Sequence, residues 1–368
     1  MAQFPKNIRK ILVYRLGGLG DYILALSFFE KLRRLYPGAE ISALAAPAAK
    51  ELLVSAQAVD RLILTRSLHI PGLSGLLSGS SLSDLIRIRA KIDPPYDLFI
   101  DLTSKYSPTG WMKPLLFHFL CRPRFSVGLN CHSKGWFLNA SIPEIRNARE
   151  HLILRYGKII KFLGGDGEFQ MGRISVPAEF LLKAETFFRK ALGSEKGGLK
   201  IGLHPGANAG DFQARAWPLE HFGSLIEKIA ASQNAQFFIS ASHDEEGLFQ
   251  SLKARASRPI QRLPACRSVL ELSAYFTKLD FFISNDTGPM HLAVCLGRPT
   301  LGIFGYSDYA AYGSYPPEIP FLGVTLEKTS VKKSRQDPRR LRQITVDEVY
   351  SKFVELRTRL ENQIDPAR

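Results

Sequence analysis

The segment KILVYRLGGLGD, Lys10–Asp21, is the most informative part of the sequence about the fold. Its first five residues are a short apolar run, and three glycines follow before Asp21. An apolar run that ends in a glycine-rich turn is typical of a parallel strand buried on both faces. The next segment, Asp21–Leu35, has enough apolar residues to form a helix packed on a sheet, and Pro37-Gly38 is expected to end it.

The same order of strand, glycine-containing loop and helix returns along the chain. Short apolar runs predict further strands at 40–45, 61–64, 96–102, 199–203, 236–240, 281–284 and 300–304. Helices are predicted at 111–121, 149–163, 180–192, 222–231 and 291–296, and a Gly- and Ser-rich loop at 71–83. Alternating strands and helices indicate parallel sheets with right-handed crossovers.

The length of the chain predicts two domains, because 368 residues exceed one ordinary hydrophobic core. We expect an N-terminal Rossmann-like domain at 1–170 and a C-terminal Rossmann-like domain at 171–344. A C-terminal helix at 345–368 could pack back on the N-terminal domain. The predicted fold class is α/β, with the two Rossmann-like domains facing across a cleft.

The composition is that of a globular protein, with 45% hydrophobic and 23% charged residues. No run reaches the ~18 apolar residues that a membrane span needs, and the N-terminus lacks the apolar core of a signal peptide. The four cysteines are scattered, which fits a reducing cytoplasm, and the histidines show no metal-ligand spacing. We therefore expect a cytoplasmic protein without a metal site.

The net charge of +15 predicts a phosphate-rich partner, which could be nucleic acid, anionic lipid or phosphorylated sugar. Nucleic acid is disfavoured because the sequence has no recognised DNA or RNA motif and no interleaving of aromatic and basic residues. Seven Lys or Arg residues lie between Lys328 and Arg342. They suggest peripheral contact with the cytoplasmic face of the inner membrane, and a solvated basic loop is the alternative.

The glycine-rich turn is the first candidate site. Gly17, Gly18 and Gly20 would let the backbone approach a ligand closely at the carboxyl end of the first strand. The turn is not a dinucleotide fingerprint, because Ile23 stands where the third glycine should be, and it lacks the lysine of a P-loop. Asp21 can be read either as a helix cap or as a general base.

The second candidate site is HPGAN, His204–Asn208, with Arg215 shortly after it. The loop amides around Pro205 and Gly206, with the guanidinium of Arg215, suit a diphosphate. The alternative for Arg215 is a surface residue in a polar loop.

The third and most specific motif is SNDTGPMH, Ser284–His291. Its hydroxyl, its glycine amide and the helix start predict an anion site, and Asp286 can bind hydroxyls of a sugar or ribose. A capping turn with Asp or Thr as the cap is the alternative. Glu245, within SHDEE, could bind ribose, or the acids there could simply favour a helix start.

Three blocks resemble the heptosyltransferases of glycosyltransferase family 9: RLGGLGD, HPGA followed by RAWP, and NDTGPMHLAVCLGRPTLGIFG. The resemblance covers roughly residues 10–305. It implies a GT-B fold, with the acceptor on the N-terminal half and ADP-heptose on the C-terminal half. It further implies inverting, metal-independent transfer to an anionic, lipid-linked saccharide, the lipopolysaccharide inner core, with no cofactor.

The resemblance also implies roles for individual residues. Asp21 matches the family's catalytic base, and Arg215 matches the cation that contacts the donor diphosphate. Four residues match the donor-binding motif: Asp286, Thr287, Gly288 and His291. Glu245, or one of its neighbours Asp244 and Glu246, matches a ribose-binding acid loosely. The sequence departs from some members at Ala207-Asn208, where they carry a serine or threonine pair near the phosphate.

Three alternatives remain open on the sequence. A family 9-like enzyme could use another nucleotide sugar or acceptor. A GT-B-fold nucleotide-sugar epimerase would release free nucleotide without any acceptor. A nucleic-acid-binding module would explain the basic charge.

Overall fold

A computed structural model divides the chain into two compact units, Met1–Arg173 and Ile174–Arg368. The sequence analysis placed this boundary at 170. The structure describes residues 5, 7–65, 79–103, 110–130, 135–143, 150–193, 197–207, 216–242, 245–305, 308–313, 320–325 and 340–364.

The first unit contains six strands and five helices among its described residues. The strands are β1 (Lys10–Tyr14), β2 (Glu40–Ala45), β3 (Arg61–Leu64), β4 (Leu98–Asp101), β5 (Phe125–Asn130) and β6 (Ala140–Pro143). The helices are α1 (Leu19–Leu35), α2 (Lys50–Ser55), α3 (Gly79–Lys91), α4 (Met112–Cys121) and α5 (Leu152–Phe162).

The second unit repeats this plan. Its strands are β7 (Leu199–His204), β8 (Ala235–Ile239), β9 (Ile260–Arg262), β10 (Phe281–Asn285), β11 (Thr300–Phe304) and β12 (Phe321–Thr325). Its described helices are α6 (Ala178–Leu192), α7 (Leu219–Ser232), α8 (Glu246–Lys253), α9 (Val269–Phe276), α10 (Gly288–Cys295), α11 (Tyr309–Tyr312) and α12 (Val346–Ile364).

Each unit has one six-stranded sheet in which every pairing is parallel. The strand orders are β3-β2-β1-β4-β5-β6 and β12-β11-β10-β7-β8-β9. Counted within each unit, both orders are 3-2-1-4-5-6, which is the Rossmann order. The predicted α/β class with two Rossmann-like domains is confirmed.

The central strands are buried along their length, as their apolar sequences predict. The inner residues of β1, β4, β10 and β11 have no contact with solvent or almost none. Helices cover the sheets and complete the two hydrophobic cores. A parallel sheet needs this double cover, because both of its faces are apolar.

The prediction of a loop at 71–83 is wrong for the last residues of that range. Gly79–Ser83 form the first turns of α3, and the rest of that stretch lies outside the described residues. The serines at 80, 81 and 83 lower helix propensity, but the apolar residues that follow, such as Ile88, anchor the helix on the core. None of the helices in the described part of the chain is long and apolar enough to cross a membrane.

The C-terminal helix α12 belongs to the second unit. It packs on α7, on the edge strand β12 and on its neighbour β11, and Val349, Phe353 and Leu356 enter the core there. The rings of Phe353 and Phe281 lie 5.3 Å apart. Packing of this helix on the first unit stays a prediction.

We expect Phe353→Ala to lower the free energy of unfolding by about 3–5 kcal/mol, because the buried ring leaves a cavity against Phe281. Val354→Ala is the matched control, since Val354 is the next residue and is 41% exposed. It should change the free energy by no more than about 0.5 kcal/mol. Urea unfolding of the full chain measures both, and equal effects would contradict the packing described for α12.

Candidate functional site

The strand order fixes where each unit can hold a ligand. In the first sheet the order reverses between β1 and β4, and in the second between β7 and β10. Connections leave the two strands of such a pair in opposite directions, which opens a crevice at their carboxyl ends. The predicted site residues follow β1 in the first unit and β7, β8 and β10 in the second.

Asp21 is held by two donors in the first turn of α1. Its Oδ1 accepts a hydrogen bond from Arg15 Nη2 at 2.5 Å, and its Oδ2 accepts one from Gly18 N at 2.8 Å. Gly18 is the N-cap residue of α1, so the carboxylate supplies the returning half of a capping box. The Asp21 side chain is still 31% exposed, so solvent and small molecules can reach it.

The three glycines of this turn have different surroundings. A Cβ added at Gly17 would overlap the Asp21 carboxylate, whereas one at Gly18 would meet none of the described atoms within 4 Å. Gly20 lies within α1. Gly17 thus allows the backbone to approach Asp21. Close approach of the three glycines to a ligand stays a prediction.

Sequence reasoning missed Tyr22, which supports this turn, and Asp101, which lies at the end of the neighbouring strand. The Tyr22 hydroxyl donates to Arg15 O (2.5 Å) and accepts from Ala46 N (2.7 Å), which joins the ends of β1 and β2. Burial raises the pKa of Tyr22 to about 12, so the hydroxyl keeps its proton. Asp101, fully buried at the end of β4, accepts from the Thr103 amide (2.9 Å) and hydroxyl (2.6 Å). The only signal for Asp101 in the sequence was that a carboxylate stands inside an apolar run.

In the second unit the predicted residues follow three neighbouring strands. Pro205 and Gly206 follow β7, Glu245 follows β8, and the Asp286–His291 motif follows β10. These strands are adjacent in the order β10-β7-β8. The structure therefore brings the three motifs to one edge of one sheet, while Arg215 lies outside the described residues.

Asn285 ties these segments together, a role that the sequence analysis did not assign. Its Nδ2 donates to Pro205 O (2.9 Å) and Gly206 O (3.2 Å), and its Oδ1 accepts from Trp217 N (3.0 Å). Asn285 is fully buried, so loss of these bonds would leave buried polar groups unpaired. Trp217 is itself anchored by a bond from its Nε1 to Ile344 O (2.9 Å).

The start of α10 carries the motif that the sequence predicts to bind an anion. Thr287 is its N-cap in extended conformation, yet within the described structure its side chain makes no cap hydrogen bond. Its hydroxyl instead donates to Asn285 O at 3.2 Å. Capping by this threonine, the alternative from sequence, is thus not observed. Asp286 Oδ1 lies 3.7 Å from His291 Nε2, and both side chains are largely buried.

Glu245 lies against the β7 loop. A Cβ at Gly206 would overlap its Oε1 and would come within 2.9 Å of His204 Cε1, so this close packing requires glycine. Its Oε2 accepts from the Ser242 amide and hydroxyl, both at 2.8 Å. The neighbouring Glu246 forms an ion pair with Arg262. Of these two acids, Glu245 is the one placed beside Gly206.

His204 ends β7 with its ring buried and its Nδ1 2.8 Å from Ser240 O. A carbonyl oxygen only accepts, so Nδ1 carries the proton in this bond. Burial lowers the pKa of His204, while the nearby Glu245 carboxylate and the bond to Ser240 act in the opposite direction. A neutral imidazole therefore lies behind the loop at neutral pH.

The model of glycosyltransferase family 9 (heptosyltransferase) matches residues 89–341. The chain belongs to this family. It is therefore a glycosyltransferase, and the matched region includes every candidate motif except the turn at Asp21.

Solved family 9 structures share the fold. A glycosyltransferase of family 9 from Veillonella parvula superposes with a TM-score of 0.73 at 19% identity, covering 95% of this chain and 97% of that one. The ADP-heptose lps heptosyltransferase II of E. coli gives a TM-score of 0.66 at 18% identity, covering 96% and 99%. This agreement supports the GT-B-like assignment of the family 9 chain.

A lipooligosaccharide heptosyltransferase 2 of Campylobacter jejuni is 25% identical over 170 residues, which cover 45% of this chain and 50% of the relative. The chain spans about half the length of the curated Campylobacter relatives that it matches.

We expect the free energy of unfolding to fall as pH drops below about 6.5. The unfolded His204 then takes up a proton, but the buried ring, with its lowered pKa, does not. The unfolded state therefore binds more protons, and this one group contributes a slope of up to about 1.4 kcal/mol per pH unit.

Urea unfolding of the wild type and of His204→Gln, from neutral to mildly acidic pH, measures this slope. The variant should be less sensitive to acid than the wild type. Equal slopes in the two proteins would contradict the assignment of a buried neutral ring.

Proposed function

We propose that this family 9 glycosyltransferase transfers heptose from ADP-heptose to the lipopolysaccharide inner core, with inversion at the anomeric carbon. The observation that carries the proposal is the Asp21 carboxylate, fixed by Arg15 and Gly18 at the ligand-binding edge of the first sheet. The names of the related proteins support the donor and acceptor: lipooligosaccharide heptosyltransferase in Campylobacter and ADP-heptose lps heptosyltransferase in E. coli.

In the proposed reaction Asp21 takes the proton of the acceptor hydroxyl. The hydroxyl oxygen attacks the anomeric carbon from the face opposite the nucleotide, and the bond to the diphosphate breaks. An attacking hydroxyl becomes strongly acidic only as the new bond forms, so a carboxylate base lowers the energy of the transition state most.

The second unit is proposed to bind the donor. The N–H groups at the start of α10, around Thr287 and Gly288, and the guanidinium of Arg215 would bind the departing diphosphate without a metal. Asp286 and Glu245 would accept hydrogen bonds from sugar or ribose hydroxyls. Pro205, Gly206 and His291 would shape the site around them.

Product analysis tests the whole proposal. The enzyme is incubated with ADP-heptose and truncated lipopolysaccharide acceptors, and with ADP-heptose alone. Heptose added to the acceptor supports the proposal. Release of nucleotide without any acceptor would favour an epimerase instead, and transfer only from another nucleotide sugar would reject heptose as the substrate.

We expect Asp21→Asn to reduce turnover by roughly 10²–10⁴-fold, because the amide cannot take the proton. It can still accept the bond from Gly18, but it faces the Arg15 guanidinium without a charge. Arg15→Gln is the matched control, since it removes the same ion pair and keeps the carboxylate. Its loss should be smaller, roughly tenfold, because only the orientation of the base is relaxed.

Steady-state kinetics and thermal melting are measured for both variants. If Asp21→Asn turns over within a few-fold of wild type, Asp21 acts only as a cap. If both variants lose activity equally, the ion pair and not the carboxylate accounts for the effect.

We expect Gly206→Ala to weaken donor binding by about tenfold or more, equivalent to ~1.4 kcal/mol, because the new methyl group displaces Glu245. Gly247→Ala is the control, since a Cβ there meets no described atom within 4 Å. Calorimetry with ADP-heptose and a panel of nucleotides measures both. Unchanged affinity in Gly206→Ala would place the donor elsewhere. Preferred binding of a different nucleotide would reject ADP as the nucleotide of the donor.

We further propose that the enzyme works at the cytoplasmic face of the inner membrane, held there by peripheral contact. A lipid-linked acceptor and the surplus of positive charge support this. Most of the basic segment from Lys328 to Arg342 lies outside the described residues.

A further inference from the structure

A chain of aromatic rings runs along the outside of α4 in the first unit. We call it the aromatic strip, and its members are Trp111, His118, Phe119, Trp136 and Phe137. Successive ring centroids are 5.6–6.2 Å apart, in the order Trp111, Trp136, Phe137, His118, Phe119. One part of the strip comes from α4 and its N-cap residue Trp111, and the other comes from the turn between β5 and β6.

Two members of the strip are exposed although they are apolar, while the other three are partly buried. Phe119 and Trp136 are each 66% exposed. The helix α4 packs on the core through Pro114, Phe117 and Cys121, so Phe119 is not needed for that packing. Burial lowers the pKa of His118, so the ring in the middle of the strip is neutral at neutral pH.

The segment of sequence that carries the strip has charges of one sign. Residues 102–143 include no Asp or Glu but five Lys or Arg. Of the three described ones, Arg122 is exposed directly after α4, Lys113 is partly buried within it, and Arg124 is exposed and paired with Asp97. Exposed aromatic rings beside basic residues are the combination that binds at an anionic lipid–water interface.

The strip runs from one edge of the first sheet to the other. Trp136 lies near the edge of the proposed base, whereas the end of α4 lies at the opposite edge, where Cys121 O accepts a hydrogen bond from Tyr96 N ahead of β4. The turn that carries Trp136 is tied to the end of β5 by a bond from Gly135 N to Asn130 Oδ1 (2.9 Å). Asp21 follows β1 in the same parallel sheet, so both lie at its carboxyl edge. A lipid surface in contact with Trp136 would therefore lie on the side of the sheet where the acceptor is proposed to bind.

We propose that the aromatic strip, with Arg122 and Lys113, is the surface by which this enzyme binds anionic membranes. The inference deepens the peripheral membrane contact proposed above and rests on it for the location of the acceptor. Nucleic acid is the less favoured occupant. The sequence does not interleave aromatic and basic residues. In the fold, the aromatic and basic side chains come together on a predominantly apolar helix face, whereas single-stranded nucleic acid binds to separated aromatic rings on which its bases stack.

Vesicle sedimentation of the full chain tests the surface, using phosphatidylcholine vesicles with and without phosphatidylglycerol. We expect binding only when phosphatidylglycerol is present, and weaker binding at high salt. The double variant Phe119→Ala/Trp136→Ala should lower the partition coefficient about 10–100-fold. Arg122→Gln should lower it about fivefold.

The matched control is the double variant Ile86→Ala/Leu182→Ala. Both residues are 64% exposed, and neither belongs to the strip. This control should bind vesicles like the wild type. An equal loss in the two double variants would overturn the proposal, because apolar exposure in general would then explain the binding.

Tryptophan fluorescence gives a second readout. The chain has three tryptophans, and Trp217 is only 1% exposed in the core of the second unit. Brominated lipids should quench the wild type but not Trp111→Phe/Trp136→Phe, which keeps only Trp217. Equal quenching of both proteins would overturn the assignment.

Two other results would assign the aromatic strip to a different partner. Binding of a single-stranded oligonucleotide, but not of vesicles, through the same residues would assign the strip to nucleic acid. Self-association that is lost in Phe119→Ala/Trp136→Ala, without vesicle binding, would assign it to a second copy. Either result overturns the membrane proposal.

Activity on a soluble truncated acceptor separates this inference from the proposed function. Normal vesicle binding without heptose transfer rejects the proposed reaction and leaves the surface in place. Heptose transfer without vesicle binding rejects the membrane surface and leaves the proposed reaction in place.

Discussion

The constraint on which the rest depends is that both sheets are entirely parallel and covered on both faces. Buried backbone groups in the strands must pair with one another, so the strands themselves offer few free groups to a ligand. Parallel strands also end at the same edge, which gathers the loops that follow them. The reversal of strand order between β1 and β4, and between β7 and β10, leaves a crevice at that edge.

The two units stabilise their crevice loops by different chemistry. In the first, a charged pair and a tyrosine hydroxyl join the ends of β1 and β2 around Arg15. In the second, the neutral amide of Asn285 joins the ends of β10 and β7 to the loop before α7. The amide is fully buried and carries no charge, which spares the cost of desolvating an ion. The guanidinium of Arg15 is itself largely buried, while its partner Asp21 remains accessible.

The sequence predicted the parts of the fold that are locally encoded. Strands β1, β10 and β11 are continuous apolar runs because both faces are buried. The outer strand β6 alternates between exposed and partly buried residues, and β9 has only three residues, so neither gives that pattern. The candidate motifs could be recognised in the sequence because each motif is contiguous. Asn285 was not assigned its role, because its partners at 205 and 206 are some 80 residues away.

For Asp21, the sequence posed cap and base as alternatives, and the geometry makes them compatible. A carboxylate has about four lone-pair positions, and the two bonds from Arg15 and Gly18 use one on each oxygen. Those bonds fix the side chain and leave acceptor capacity on an exposed group. A base fixed in this way loses little orientational entropy when the acceptor hydroxyl arrives, so a capping interaction would serve catalysis by positioning the base.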